Sequence, residues 1–156
     1  MKKLKMLTTA LAVTLGLLIT GGVRASDNPA LMEPVKSVYA DYVKIQTELA
    51  KDSIHGLDEH AKAIAKAVRG DDMKMLPAEV AKQADAVAEA KNIKAARAAF
   101  KPLSASLAKY LADHKVKSGY REAYCPMAKA SWLQTEKEIK NPYYGKEMLD
   151  CGTFKN

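Results

Sequence analysis

The residues of this chain best suited to chemistry are sulfur-bearing side chains near its C-terminus. Both cysteines of the protein, Cys125 and Cys151, lie there, with Met127 and Met148 between them. Cu(I) prefers thiolate and thioether sulfur, whereas zinc takes further cysteine or histidine ligands. The four sulfurs are therefore a candidate site for a soft cation, Cu(I) or Ag(I).

The spacing of these residues favours convergence of their sulfurs. Pro126 restricts the backbone between Cys125 and Met127. Met148 and Cys151 are three positions apart, so one helical turn would put both on the same face. Closing the loop between the two pairs would bring all four sulfurs together.

The same two cysteines can instead form a disulfide. Oxidising compartments permit one, and closing a loop of about 25 residues stabilises a domain by on the order of 3 kcal/mol in the chain-entropy model. Met127 and Met148 would then be ordinary core residues. A disulfide can also be a resting state that is reduced before metal uptake, so the residues alone leave both interpretations open.

The N-terminus indicates export. A basic start at residues 1–5 precedes an apolar run at 7–19, and Val23-Arg24-Ala25 fits the small-x-small pattern of signal peptidase. We predict a cleaved signal peptide over residues 1–25, a mature chain that starts at Ser26, and a periplasmic location. An uncleaved anchor is the alternative, although the apolar run is shorter than the roughly 20 residues that a spanning helix needs.

The charge of the chain argues against nucleic acid as a partner. The full sequence has 25 basic and 18 acidic residues, a net charge of +7. Four of the basic residues belong to the predicted signal peptide, which leaves 21 against 18, or +3. The remaining charges alternate along predicted helices and form no basic block, so we expect no nucleic-acid binding.

Four amphipathic segments must position the sulfur-rich tail. In each, apolar residues recur every three or four positions, which is typical of a helix with one buried face. The four stripes run over residues 35–49, 54–68, 80–87 and 96–111. Short connections between them predict an all-α fold, an up-down-up-down four-helix bundle.

The tail has a different composition. Prolines, glycines and aromatic residues are dense there, which predicts a loop-rich C-terminal cap on the bundle with a short helix at 146–149. We therefore predict one helical domain over residues 26–156, with the bundle at 29–117 and the Cys/Met/aromatic-rich segment at 118–156.

The sequence carries no recognised catalytic motif. It has no G-x-S-x-G, phosphate loop or H-E-x-x-H, and neither cysteine has a histidine near it in sequence. We predict that the protein is not an enzyme. A thiol hydrolase would require His114 within hydrogen-bonding reach of Cys125.

Five motifs of the chain form a distinctive set. They are Phe100-Lys101-Pro102-Leu103-Ser104, Tyr124-Cys125-Pro126-Met127-Ala128, Trp132-Leu133, Glu138-Ile139-Lys140-Asn141-Pro142-Tyr143-Tyr144-Gly145 and Met148-Leu149-Asp150-Cys151-Gly152. Together they resemble a family of bacterial exported helical domains that is catalogued as a domain of unknown function. That family occurs alone behind a signal peptide and fused to periplasmic adaptor subunits of heavy-metal efflux pumps.

The resemblance implies metal handling with an efflux adaptor or another envelope protein as partner. The run Tyr124–Met127 is also similar to the opening of short heavy-metal-binding modules on copper transporters. On this basis we expect Cu(I) or Ag(I) binding through Cys125, Met127, Met148 and Cys151, and no membrane insertion after signal cleavage. The alternative is a helical interaction module stabilised by a Cys125–Cys151 disulfide, with no metal.

Overall fold

Four α-helices make up about half of the residues that the structure describes. The computed structural model describes residues 30–155, so the predicted signal peptide at 1–25 lies outside the described residues. Each helix packs against the next along the chain, and the first helix also contacts the fourth. None of the helices within 30–155 has the length and apolar character needed to cross a membrane. The helices are α1 (Val35–Ala50), α2 (Leu57–Arg69), α3 (Ala78–Ala88) and α4 (Ile93–Asp113).

Local sequence chemistry accounts for the ends of these helices. The Asn92 side chain accepts a hydrogen bond from the Ala95 N–H at 2.9 Å, as expected of an N-cap residue. In α2, Asp58 lies in the first turn and Arg69 in the last, where each charge complements the helix dipole.

The predicted apolar stripes form the core. On α1 the stripe residues Val38, Tyr42 and Leu49 are fully buried, and Phe100 and Leu107 on α4 are buried as well. Periodicity of 3–4 residues therefore identified the buried faces of the helices, except that Ile54, the first residue of the second stripe, is 41 % exposed and lies before α2.

The C-terminal segment corrects the all-α prediction. It forms a small three-stranded antiparallel sheet with the first strand in the centre, so the chain is mostly but not purely helical. The short helix predicted at 146–149 is a 3-10 helix, Gly145–Glu147. The strands are β1 (Arg121–Cys125), β2 (Ala130–Gln134) and β3 (Thr153–Phe154).

Side chains from the helices and from the tail form hydrogen bonds with the backbone of β2, an edge strand of the sheet. β2 packs against α1 and α4. The Leu133 N–H donates to the Tyr42 hydroxyl of α1 at 3.0 Å, and the Tyr143 hydroxyl donates to the Ser131 carbonyl at 2.6 Å. Tyr42 also hydrogen bonds to Ser104 of α4. The tail and the helices consequently share one hydrophobic core.

Candidate functional site

The fold brings the two cysteines into contact. Cys125 ends β1, and Cys151 lies just before β3, which pairs antiparallel with β1. Their Sγ atoms are 2.8 Å apart, and both cysteines are free. A disulfide bond is about 2.05 Å long, so an approach of about 0.8 Å would bring the sulfurs to bonding distance.

The two predicted thioethers differ in their position relative to this pair. Met148 is half-buried, and its carbonyl accepts a hydrogen bond from the Cys151 N–H at 3.1 Å, so the two residues share one turn. Met127 lies in the turn between β1 and β2 and is 64 % exposed. The fold therefore joins the two thiols, keeps Met148 next to Cys151 along the chain, and leaves Met127 open to solvent.

The environment of the pair distinguishes the two thiols. Burial raises the pKa of the Cys125 thiol, but several hydrogen bonds to its sulfur lower the pKa by more. The largest effect comes from Cys151, and the others come from the N–H groups of Ala128 and Met127 and from the Asn141 side chain. The pKa of Cys125 therefore lies below its usual range. The hydrogen bond to Cys125, followed by burial, raises the pKa of Cys151. Of the two thiols, Cys125 is therefore the one that loses its proton first as the pH rises.

We expect the reduced protein to release its two thiol protons in separate steps, one below and one above the ordinary cysteine pKa. The lowered pKa of Cys125 stabilises the folded protein at pH values above the ordinary cysteine pKa, and this stabilisation is lost as the pH falls through the lowered pKa. The raised pKa of Cys151 stabilises the folded protein at pH values below the ordinary cysteine pKa, and this stabilisation is lost as the pH rises through the raised pKa. The ¹³Cβ shifts of labelled cysteine measure both steps.

The control for this titration is Cys151→Ala, which removes the hydrogen bond to Cys125 and should raise the pKa of Cys125. A single transition of both thiols at the ordinary cysteine pKa would contradict the opposite pKa shifts of Cys125 and Cys151.

Asn141 holds the two loops around the sulfurs. This buried side chain donates from Nδ2 to the Cys151 carbonyl at 2.7 Å and accepts at Oδ1 from the Tyr143 N–H at 2.8 Å. Its own N–H donates to the Leu149 carbonyl at 2.8 Å. Sequence reasoning did not assign Asn141 to the site. The available signal was an asparagine before proline, which often bonds the backbone two residues on.

Arg97 of α4 fixes the same loop to the helices. Its Nε donates to the Pro142 carbonyl at 2.8 Å, and its Nη2 donates to the Leu49 carbonyl and to Asp52 Oδ1 at 3.0 and 2.6 Å. The hydrogen bond from Arg97 and that from the Lys146 N–H lower the pKa of Asp52. Arg97 is 45 residues from Pro142, and no sequence pattern links them.

Two glycines of the tail motifs are required by close packing. Gly145 has φ +57°, and a Cβ there would overlap the Asp52 carboxylate and the Arg97 guanidinium. Gly152 has φ +145°, and a Cβ there would lie 2.7 Å from Cη2 of the Trp132 ring. Only a residue without a side chain fits either place without strain.

The tryptophan and His114 lie outside the sulfur contact. Trp132 is fully buried and donates from Nε1 to Gln134 Oε1 at 2.8 Å, so it packs the tail onto the core. His114 stacks on Tyr110, and its Nδ1 is 2.9 Å from the Tyr110 carbonyl. Across residues 30–155, no group of three or more His, Cys, Asp or Glu side chains is placed to hold a metal.

The sulfur pair can bind a metal only after opening. Metal–thiolate bonds of about 2.3 Å put two sulfurs on one ion about 3.7 to 4.6 Å apart, depending on the angle. The 2.8 Å contact must therefore widen by about 1 to 2 Å. Cys151 is half-buried in a loop, whereas Cys125 is fixed in β1, so Cys151 is the cysteine of the pair with more freedom to move.

A comparison with curated proteins and another with solved structures found no match. Residues 38–119, which are 82 of the 156 in the chain, match the family described as "Protein of unknown function (DUF3347)". The matched range ends before β1, so the sulfur pair lies beyond it. Because the match covers more than half of the chain, the protein belongs to this DUF3347 family.

Proposed function

We propose that the protein binds Cu(I) or Ag(I) in the bacterial envelope and acts as a chaperone or buffer for metal efflux or homeostasis. The observation that carries this proposal is the 2.8 Å contact between the Sγ atoms of Cys125 and Cys151. A thiolate is the form in which cysteine binds metal, and the hydrogen bonds that lower the pKa of Cys125 favour that form.

The positions of the four sulfurs suggest different roles in binding. Cys125 is the fixed ligand, because it is buried at the end of a strand. Cys151 moves outward to admit the ion, and Met148, one turn before it, follows as a thioether ligand. Met127 is exposed beside the pair and is the weakest candidate of the four, available to cover the ion from the solvent side.

The proposed location and partner have separate support. The predicted signal peptide over residues 1–25 supports export to the periplasm. The resemblance of the tail motifs to domains fused to heavy-metal efflux adaptors supports an adaptor or another envelope protein as the recipient of the ion. No step of this function requires catalysis by the chain.

The test is a count of free thiols on mature protein under anaerobic conditions, with and without Cu(I). The proposal predicts two thiols that react with an alkylating reagent and that Cu(I) protects together. It is wrong if protein reduced to two free thiols is alkylated at the same rate in the presence of Cu(I). A separate count without Cu(I), on protein unfolded in denaturant, ensures that burial of Cys125 does not hide a thiol.

The second candidate function is a disulfide-stabilised interaction module without metal. It is favoured by the 2.8 Å sulfur contact and by the short pairing of β3, which comprises two residues. The two thiols would give up two electrons and two protons to an oxidant of the envelope. This candidate predicts mature protein without free thiols, a melting temperature that falls on reduction, and no protection by Cu(I) afterwards.

A further inference from the structure

A groove lies between α4 and the sheet. Its volume is about 630 Å³, within the range of about 300–1,000 Å³ that ligand sites usually have. One wall is the exposed face of α4, and the other is formed by β1, β2 and the residue after β3. Neither cysteine lines it.

The side chains that line the groove carry a net positive charge. Four lysines and one glutamate line it, and the lysines are Lys101, Lys109, Lys129 and Lys155. Lys101 donates to the Ala128 carbonyl at 2.9 Å, so its ammonium group is already engaged with the tail. Lys155 pairs with Glu122 at 2.6 Å, and Lys109 pairs with Asp113, which lies just outside the groove, also at 2.6 Å. Such solvent-exposed ion pairs contribute little stability, so their lysines can exchange partners at low cost.

The floor of the groove is apolar and made of small side chains. Ala105, Ala108 and Ala112 recur along α4 at helical spacing, and Pro102 precedes them. Small residues let a second backbone come close to the helix. On the facing strand, Tyr124 is 37 % exposed, with Lys155 Nζ 5.8 Å from its ring centre. The lysines therefore surround an apolar strip and do not converge on one point.

We propose that this groove binds an acidic peptide segment of a partner protein. Acidic side chains of the segment contact the lysines at the rim, and alternating apolar side chains lie on the alanine floor and against Tyr124. Charge complementarity of this kind sets partner choice and speeds association. The distributed lysines suit an extended segment better than a single compact anion. The inference is independent of metal binding, since no sulfur takes part.

The experiment measures fluorescence anisotropy of a fluorescein-labelled peptide of three Glu-Leu repeats at low ionic strength, with a Lys-Leu peptide for comparison. The groove variant is Lys109→Gln with Lys129→Gln. The matched control is Lys62→Gln with Lys82→Gln, two exposed lysines on α2 and α3 that also pair with nearby carboxylates. Both variants lose the same charge.

The expected result is binding of the Glu-Leu peptide that the groove variant weakens roughly fivefold and the control variant leaves nearly unchanged. Ala105→Glu, at an exposed position of α4, should abolish binding by filling the floor with a negative charge. Equal loss in groove and control variants overturns the proposal, as does no binding by the wild type. Binding to phosphatidylglycerol vesicles without binding to the peptide also overturns it.

Discussion

Replacing Cys125 and Cys151 with serine is expected to abolish tight Cu(I) binding. Serine hydroxyls keep the size and the hydrogen bonds of the pair but are poor ligands for a soft cation. Loss of a single hydrogen bond to a metal ligand typically lowers affinity about 10- to 100-fold, so loss of both thiolates should exceed a hundredfold. Anaerobic competition against a chromogenic Cu(I) chelator measures the change.

Single substitutions should give a graded series that follows the structure. Cys125→Ser should be the most damaging, Met148→Leu intermediate, and Met127→Leu the mildest because Met127 is already largely exposed. Met73→Leu is the matched control, since Met73 is 75 % exposed and lies between α2 and α3.

Unchanged Cu(I) affinity in the folded double-serine protein would rule out the proposed metal site. Cys151→Ser alone, at a half-buried position, provides a variant with less risk to folding.

Gly152→Ala is expected to lower the free energy of unfolding by about 2 to 4 kcal/mol, from backbone strain and steric overlap together. The residue has φ +145°, and the added Cβ would lie 2.7 Å from Trp132 and 3.1 Å from the Tyr124 carbonyl. The Trp132 ring has little room to retreat, because it is buried, hydrogen-bonded to Gln134 and edge-on to Tyr143. We therefore expect β3 to detach and Cys151 to leave Cys125. Chemical denaturation and the alkylation rate of Cys125 report the two effects.

Gly119→Ala is the control for this substitution. A Cβ at Gly119 meets nothing within 4 Å, and the residue precedes the sheet. Its stability should be unchanged or slightly higher, because alanine restricts the unfolded chain. Equal stability of the Gly152→Ala and wild-type proteins would show that the close packing over Trp132 does not hold the tail.

The helices could be predicted because their signals are local. An apolar residue every three or four positions identified the buried faces of α1 and α4, and Asn92 marked the start of α4. These features depend on residues within a few positions of one another. They carry the same information whether or not the rest of the chain is known.

The sheet was missed because its sequence signal is weak. Burial alternates along β1 from Glu122 to Cys125, but Ala123, Tyr124 and Cys125 are all apolar, so the sequence itself does not show that alternation. The four-residue connection to β2 has no glycine, which is the usual sign of a hairpin loop of that length. The prolines and glycines of the tail suggested loops instead, and β3 has two residues, too few to give a periodic pattern.

The sequence by itself determined which atoms can do chemistry, two thiols and two thioethers, and which helices support them. Tertiary structure alone decided that the Sγ atoms of Cys125 and Cys151 are 2.8 Å apart and that Met127 is exposed. It also formed the groove between α4 and the sheet that lysines line. The physical reason is distance along the chain. Gln46 of α1 donates to the Lys140 carbonyl across 94 residues. Arg97 joins α1 to Pro142, and each such contact depends on how whole elements pack.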